Sequence, residues 1–245
     1  MIISHTYKYV FVELPHTGST AISAELRELY DGSKILRKHA RYSEFLRTAS
    51  SADREYFAFS CIRNPLDEAV SIYFRYKTDH HGRYSQPRGS VTQVEVEQFR
   101  FIQRTGADFS TYFRHAYRRP LPYDNFSSEA HQQLDFVMRF ENLRDDFETA
   151  LRLIGIEPKR RLAVGNATSE RRRDFASYYG PDVIPLARWV FGPFMQRWGY
   201  ELPQGWGGFP APLTARLAFQ GIGRLRRIRW ALLPGGTVHR KARSS

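Results

Sequence analysis

Apolar residues along this chain form short, nearly continuous runs that alternate with segments in which they recur at helical spacing. The runs at 7–14, 56–62 and 135–140 are rich in β-branched and aromatic residues, as buried strands are. A shorter strand is predicted at 34–39. Helices are predicted at 19–30, 41–49, 67–77, 94–104, 108–117, 143–154, 170–179 and 183–198. Strands that alternate with helices predict an α/β fold with a parallel sheet covered by helices.

The length of 245 residues suits one such domain with its own hydrophobic core. We expect it to cover residues 1–203 and a basic tail to follow at 204–245. The chain has no run of about 18 apolar residues and no signal-peptide pattern at its start. Its single cysteine, Cys61, excludes an internal disulfide framework and suits a reducing compartment. These features predict a cytoplasmic protein.

The junction between the first predicted strand and helix has the pattern of an anion-binding loop. It reads Pro15-His16-Thr17-Gly18-Ser19-Thr20. Gly18 lets the backbone approach an anion closely, and the N–H groups of the first helical turn point at that anion. The hydroxyls of Ser19 and Thr20 can donate further hydrogen bonds, or can cap the helix. The nucleotide-binding pattern G-x-x-x-x-G-K-[ST] is absent, so an ordinary ATPase or GTPase has no support. A capped helix after a tight turn is the structural alternative.

A second candidate anion site follows the strand at 56–62. Arg63 lies at the carboxyl end of that strand, where α/β sheets bind ligands, and its guanidinium can hold a phosphate with two donors. Pro65 suits the first turn of a helix. Ser71 falls about two turns into that helix, from where its hydroxyl can reach the same anion.

These motifs together resemble those of the sulfotransferases that use 3′-phosphoadenosine 5′-phosphosulfate (PAPS), and their carbohydrate branch in particular. Residues 14–20 (LPHTGST) resemble the 5′-phosphosulfate loop of that superfamily, and Arg63-Asn64-Pro65 with Ser71 resembles its 3′-phosphate motif. Residues 135–147 (DFVMRFENLRDDF) resemble its later strand and helix. Residues 190–203 (VFGPFMQRWGYELP) resemble the closing segment of the carbohydrate branch.

The resemblance implies a P-loop-like three-layer fold, with a central parallel sheet flanked by helices and extra C-terminal helices. It implies transfer of a sulfuryl group from PAPS to a hydroxyl acceptor, a carbohydrate or glycolipid. The residues it assigns to PAPS are His16, Thr17, Gly18, Ser19, Thr20, Arg63 and Ser71. Arg171 and Arg172 are expected to contact the nucleotide as well, because the late region of related enzymes closes over it. We expect no metal, since no Cys or carboxylate cluster completes a site around His80 and His81.

The chain departs from the family at His16, where a lysine usually stands. That lysine is thought to stabilise the leaving group, so His16 can replace it only when protonated. Lys38 or the arginines at 171–173 are alternative cations. His39 is our candidate for the general base, because many family members carry a catalytic histidine at the matching position. Glu13 and Glu25 are weaker candidates.

The formal net charge of +12 is concentrated in the tail. No acidic residue follows Glu201, whereas eight basic residues do: Arg216, Arg224, Arg226, Arg227, Arg229, Arg240, Lys241 and Arg243. Leu217, Leu225, Ile228 and Leu232 can share one face of a helix near 212–233. A basic amphipathic helix of this kind favours peripheral contact with an anionic membrane, such as the inner membrane surface. Docking on the body of the protein, or an unstructured tail, fits the same pattern.

Two other functions are compatible with the same motifs. Replacement of the loop lysine by His16 would suit a nucleotide- or polyanion-binding protein of this fold that has lost catalysis. A divergent small-molecule kinase would need Mg²⁺ and a lysine after the glycine loop, and the sequence offers neither that lysine nor a convincing carboxylate site. Nucleic acid is not an expected partner, because only the charge favours it and no recognition motif is present.

Overall fold

The structure, a computed structural model, describes residues 1–86, 91–124, 134–163, 174–207 and 211–231. Its strands are β1 Ile2–Ser4, β2 Tyr9–Val12, β3 Ser33–Lys34, β4 Phe57–Ile62 and β5 Phe136–Arg139. Its helices are α1 Ser19–Leu29, α2 Tyr42–Thr48, α3 Pro65–Lys77, α4 Gln93–Thr105, α5 Phe109–Ala116, α6 Leu143–Leu153, α7 Ile184–Arg197 and α8 Leu213–Ala231. The strands form one sheet in the order β3-β1-β2-β4-β5. The predicted α/β architecture, a central sheet flanked by helices, is confirmed.

The sheet is mixed, which corrects the prediction of a parallel one. Strands β2, β4 and β5 pair in parallel, but β1 is antiparallel to both β2 and β3. Only residues 5–8 join β1 to β2, and so short a connection permits only an antiparallel pair. The predicted strand at 34–39 is shortened to Ser33–Lys34, because Leu36 and His39 have φ angles of 55° and 61°. Such angles interrupt an extended strand.

Alternation along β2 explains how helices cover both faces of the sheet. Tyr9 and Phe11 pack in one hydrophobic cluster with residues of α1 and α6. Val10 and Val12 point the other way and pack in a second cluster with residues of α2. All four side chains are buried, so β2 is a central strand whose end is held in a fixed position.

The chain divides into two compact units. The first consists of the described residues of Met1–Arg63, Asp124–Gly165 and Gln220–Ser245, and it contains the sheet. The second consists of the described residues of Asn64–Tyr123 and Asn166–Phe219, and it is helical with an aromatic core. In that core the ring of Phe109 lies 4.7 Å from the ring of Tyr179. The Tyr179 hydroxyl donates a hydrogen bond of 2.9 Å to the carbonyl of Leu66, which attaches Tyr179 to the first turn of α3.

The other predicted elements agree with the structure to within two residues at each end, apart from the one predicted at 170–179. There, residues 170–173 lie outside the described residues, and the remainder forms a short 3-10 helix, Phe175–Tyr178. Between α3 and α4 the chain forms another 3-10 helix, His80–Gly82, and residues 87–90 lie outside the described residues. No helix in the described ranges combines the length and hydropathy needed to cross a lipid bilayer.

Candidate functional site

The loop between β2 and α1 lies at the carboxyl end of the central strand. Gly18 precedes the first residue of α1 with a φ of 74°, in the left-handed region that favours glycine. A Cβ atom there would lie 2.7 Å from Cδ2 of Leu143 and 3.4 Å from the ring of Phe140. The loop therefore needs glycine both for its backbone angle and for its close packing on the start of α6.

The side chains of the loop have different environments. Thr17 is fully buried, and its hydroxyl donates a 3.0 Å hydrogen bond to the carbonyl of Leu14, which closes the turn. Ser19 is buried at the start of α1, whereas Thr20 is exposed. The first turn of α1 contains no acidic residue. Helix geometry leaves its first N–H groups without intrahelical acceptors, so this end carries a partial positive charge suited to an anion.

Arg63 brings a full positive charge to the same loop. Strands β2 and β4 are parallel neighbours, with Val12 opposite Ser60, so the residues after each strand lie at one edge of the sheet. The Ser60 hydroxyl reinforces this register by donating a 2.7 Å hydrogen bond to the carbonyl of Val12. Arg63 is buried to 8% exposure, and its Nη1 donates a 3.2 Å hydrogen bond to the carbonyl of His16. The guanidinium is thus directed toward the loop before α1.

The ring of Phe140 packs against the guanidinium of Arg63. The Arg63 Cζ atom lies 4.3 Å from the centre of the Phe140 ring, a cation–π arrangement. Phe140 directly follows β5, and its half-buried ring packs against the core beneath the sheet. Its role as a support for Arg63 depends on the pairing of β4 with β5, which local sequence does not reveal.

His39 is tied to the first residue of the same loop. Its Nδ1 lies 3.1 Å from the backbone carbonyl of Glu13, which directly follows β2. A carbonyl oxygen can only accept, so Nδ1 carries the hydrogen and Nε2 is left as a proton acceptor. Burial lowers the pKa of His39 below the ordinary value of 6.5, and the charge of Lys38 lowers it further, although the Glu13 carbonyl opposes this. A neutral imidazole whose Nε2 can accept a proton is the form that a general base requires.

Lys38 lies at the open side of the loop. Its Nζ atom donates a 3.1 Å hydrogen bond to the hydroxyl of Thr20, the second residue of α1. His16, the other candidate cation, is half-buried with a φ of 63°, and its carbonyl accepts the hydrogen bond from Arg63. Lys38 thus places a side-chain donor against the first turn of α1.

The two carboxylates considered as bases have structural partners. The buried Glu13 accepts a 2.6 Å hydrogen bond from the Ser23 hydroxyl. Burial alone would raise its pKa, but the hydrogen bonds that it accepts, including that from Ser23, lower it and make it a weaker base. Glu25 accepts two hydrogen bonds from Arg160, of 2.9 and 2.8 Å. These contacts leave His39 as the better placed base.

The remaining predicted site residues are less informative. Ser71 lies in the second unit, buried on α3, where the predicted helix places it. Asn64 accepts a 3.0 Å hydrogen bond from the N–H of Leu66, so the Asn-Pro pair that follows Arg63 starts α3. Arg171, Arg172 and Arg173 lie outside the described residues. Within the described ranges, no group of three or more His, Cys, Asp or Glu side chains has the arrangement of a metal site.

A family model described as the sulfotransferase family matches residues 1–180 of the chain. The matched stretch contains all five strands of the sheet, the loop before α1 and Arg63. No curated protein and no solved structure matches the chain.

The loop geometry predicts that Gly18→Ala is more damaging than an equally strained glycine substitution elsewhere. Gly106 ends α4 with a φ of 63° and has no atom within 4 Å of an added Cβ. Gly106→Ala should therefore cost only the backbone strain, about 1 kcal/mol. Gly18→Ala adds overpacking against Leu143 and should cost roughly 1–3 kcal/mol more in the free energy of unfolding. Urea denaturation of both variants measures the difference; equal losses would contradict the packing described for Gly18.

Proposed function

The chain belongs to the sulfotransferase family, and from this premise we propose that it transfers a sulfuryl group from PAPS to a hydroxyl of a carbohydrate or glycolipid. The observation that carries this proposal is the direction of Arg63. Its guanidinium reaches the loop before α1, so two groups that attract anions lie at one edge of the sheet. A donor with phosphate on its 3′ oxygen and phosphosulfate on its 5′ oxygen suits this pair of groups.

The loop and Arg63 would hold opposite ends of the donor. The N–H groups of the first turn of α1, with the hydroxyls of Ser19 and Thr20, would bind the 5′-phosphosulfate. Arg63 would bind the 3′-phosphate, while Phe140 supports its guanidinium. Thr17 would act through its backbone, because its hydroxyl is donated to Leu14. Ser71, Arg171 and Arg172 stay in the proposal on the family resemblance.

The chain's contribution to the reaction would be position, positive charge and one base. PAPS supplies the activated sulfuryl group. The acceptor oxygen forms a bond to sulfur while the bond between sulfur and the bridging phosphate oxygen breaks, and the electron pair stays on that oxygen. Nε2 of His39 takes the proton of the acceptor hydroxyl, since Nδ1 is committed to the Glu13 carbonyl. Hydrogen-bond donors around the loop stabilise the charge on the departing phosphate.

Carbohydrate is the proposed acceptor class because residues 190–203 resemble the closing segment of the carbohydrate branch. A cytoplasmic enzyme that acts without metal completes the proposal. Loss of catalysis is the second candidate, and the substitution at the family's lysine position, His16, is the observation that favours it. Turnover of labelled PAPS with a panel of sugar hydroxyls separates the two.

Arg63 should determine selectivity for the 3′-phosphate. The experiment compares the binding of 3′-phosphoadenosine 5′-phosphate (PAP) with that of AMP, which lacks the 3′-phosphate, by thermal shift and calorimetry. Arg63→Ala should weaken PAP binding by roughly 30-fold or more, because it leaves a phosphate charge unpaired, and should affect AMP much less. Arg152→Ala is the control, since Arg152 is exposed on α6 and pairs with Glu148. An unchanged ratio of PAP to AMP affinity in Arg63→Ala would remove Arg63 from the donor site.

His39 should set the acidic limb of the pH profile. Because its pKa is lowered, the imidazole is neutral at pH 7, and activity should fall only when the pH drops through a value below 6.5. His39→Ala should lower kcat by roughly 10²–10⁴-fold, remove that limb and leave PAP affinity nearly unchanged. His5→Ala is the matched control, because His5 is an exposed histidine of the same unit. Equal losses of PAP binding and turnover in His39→Ala would contradict the role as a base.

A further inference from the structure

We propose that Lys38 supplies the cation that the family normally carries on the loop, and that it stabilises the phosphate oxygen from which sulfur departs. This inference rests on the proposed function and adds a catalytic residue to it. The family's loop lysine is replaced by His16, whose left-handed backbone turns its carbonyl toward Arg63. A histidine carries a full charge at neutral pH only when its surroundings favour the protonated form. A lysine is charged without that help.

The position of Lys38 suits a cation that stabilises the leaving phosphate oxygen. Its Nζ donates to the Thr20 hydroxyl at 3.1 Å, on the exposed side of the first turn of α1. That hydrogen bond uses one of three ammonium donors, so the same group can also face an anion at this helix end. The four-carbon stem lets the ammonium follow charge that moves onto the leaving oxygen.

Lys38 and His39 are placed by one distorted segment. The chain leaves β3 at Lys34, and positive φ angles at Leu36 and His39 turn it back toward the loop. His39 then reaches the Glu13 carbonyl while Lys38 reaches Thr20, so the two side chains contact opposite ends of the segment 13–20. Left-handed backbone at residues other than glycine is strained and concentrates at functional sites. Here the strained backbone brings the cation, Lys38, and the base, His39, to the same loop.

Lys38 also acts on the base electrostatically. Its charge is one of the causes that lower the pKa of His39, after burial. Removal of the charge should therefore raise the pKa of His39 and move the acidic limb of the pH profile to higher pH. This shift can be measured without turnover, by NMR titration of the His39 ring.

The test compares Lys38→Met, Lys38→Arg, the double variant His16→Lys with Lys38→Met, and the control Arg37→Met. Arg37 is the preceding exposed cation, and it pairs with Glu44 instead of the loop. Lys38→Met should lower kcat by roughly 10²–10³-fold, as loss of one transition-state donor does, with a smaller effect on PAP affinity. His16→Lys should recover at least about 10-fold of that loss by restoring the family's arrangement. Lys38→Arg should keep part of the activity, and Arg37→Met should match the wild type.

Each outcome has a defined meaning. Full activity in Lys38→Met, or equal losses of turnover and PAP affinity, would overturn the role of Lys38 at the leaving group. A His39 titration unchanged by Lys38→Met would contradict the placement of its charge. A wild-type chain that binds PAP but never turns over PAPS would overturn the proposed function, and this inference with it.

Helix α8 has an exposed apolar surface. Four apolar residues of this helix are exposed, in contrast to Ala215, which is fully buried. They are Leu213, Leu217, Leu225 and Ile228, with exposures of 65%, 58%, 68% and 57%. Their spacing places them within one face of a helix.

Two exposed arginines lie on this face and beside it. Arg224 and Arg229 are exposed on α8, and no acidic residue follows Glu201 to neutralise them. Arg226 is an exception, since it pairs with Asp124. We infer that α8 lies on an anionic lipid bilayer, with its leucines in the interface and its arginines at the lipid headgroups. The apolar face and the charge both match this partner.

Vesicle sedimentation of the full chain tests this inference, with phosphatidylcholine vesicles that contain or lack phosphatidylserine. Binding should require phosphatidylserine and should fall at least about 10-fold when Leu225 and Ile228 are both changed to glutamate. Leu121→Glu, which alters an exposed leucine outside α8, should bind like the wild type. No binding by the wild type, or equal binding by the Leu225→Glu/Ile228→Glu variant, would overturn the inference.

Discussion

The site depends on the parallel pairing of β2 with β4. This pairing brings the residues after two buried strands to one edge of the sheet, and the hydrogen bond from Arg63 to the His16 carbonyl joins them. The packing of Gly18 against Leu143 and of Arg63 against Phe140 fixes the same region from the side of β5 and α6. A positive helix end and a buried guanidinium are thereby held together before any ligand arrives, and such preorganisation is what lets an enzyme stabilise a departing anion.

The second constraint is the strained segment after β3. Its positive φ angles end the strand early and carry Lys38 and His39 back to the loop before α1. In the proposed mechanism the base, His39, needs to be neutral and the cation, Lys38, needs to be charged; the two are adjacent in sequence, yet each has its own anchor on the loop. On this proposal, a chain with His16 at the family's lysine position still has a cation next to the loop before α1.

The elements of the fold were predictable wherever the signal was local. A few consecutive residues were enough to predict β4 from its apolar run, the start of α1 from its glycine, and the start of α3 from its Asn-Pro pair. The order of the two anion motifs along the chain indicated the family. The antiparallel β1 was missed because a strand of only three residues, two of them apolar, is too short to give a pattern along the sequence. The early end of β3 was missed because its positive φ angles fall on Leu36 and His39, which are not glycines. The support of Arg63 by Phe140 and the contact of Lys38 with Thr20 join residues distant in sequence, so spacing along the chain does not predict them.

A crystal structure of the chain with bound PAP tests the central claim most directly. We expect the 5′-phosphate at the first turn of α1, within hydrogen-bond distance of its N–H groups, and the 3′-phosphate within about 3 Å of the Arg63 guanidinium. A nucleotide bound with its 3′-phosphate away from Arg63, or bound at another edge of the sheet, would contradict it.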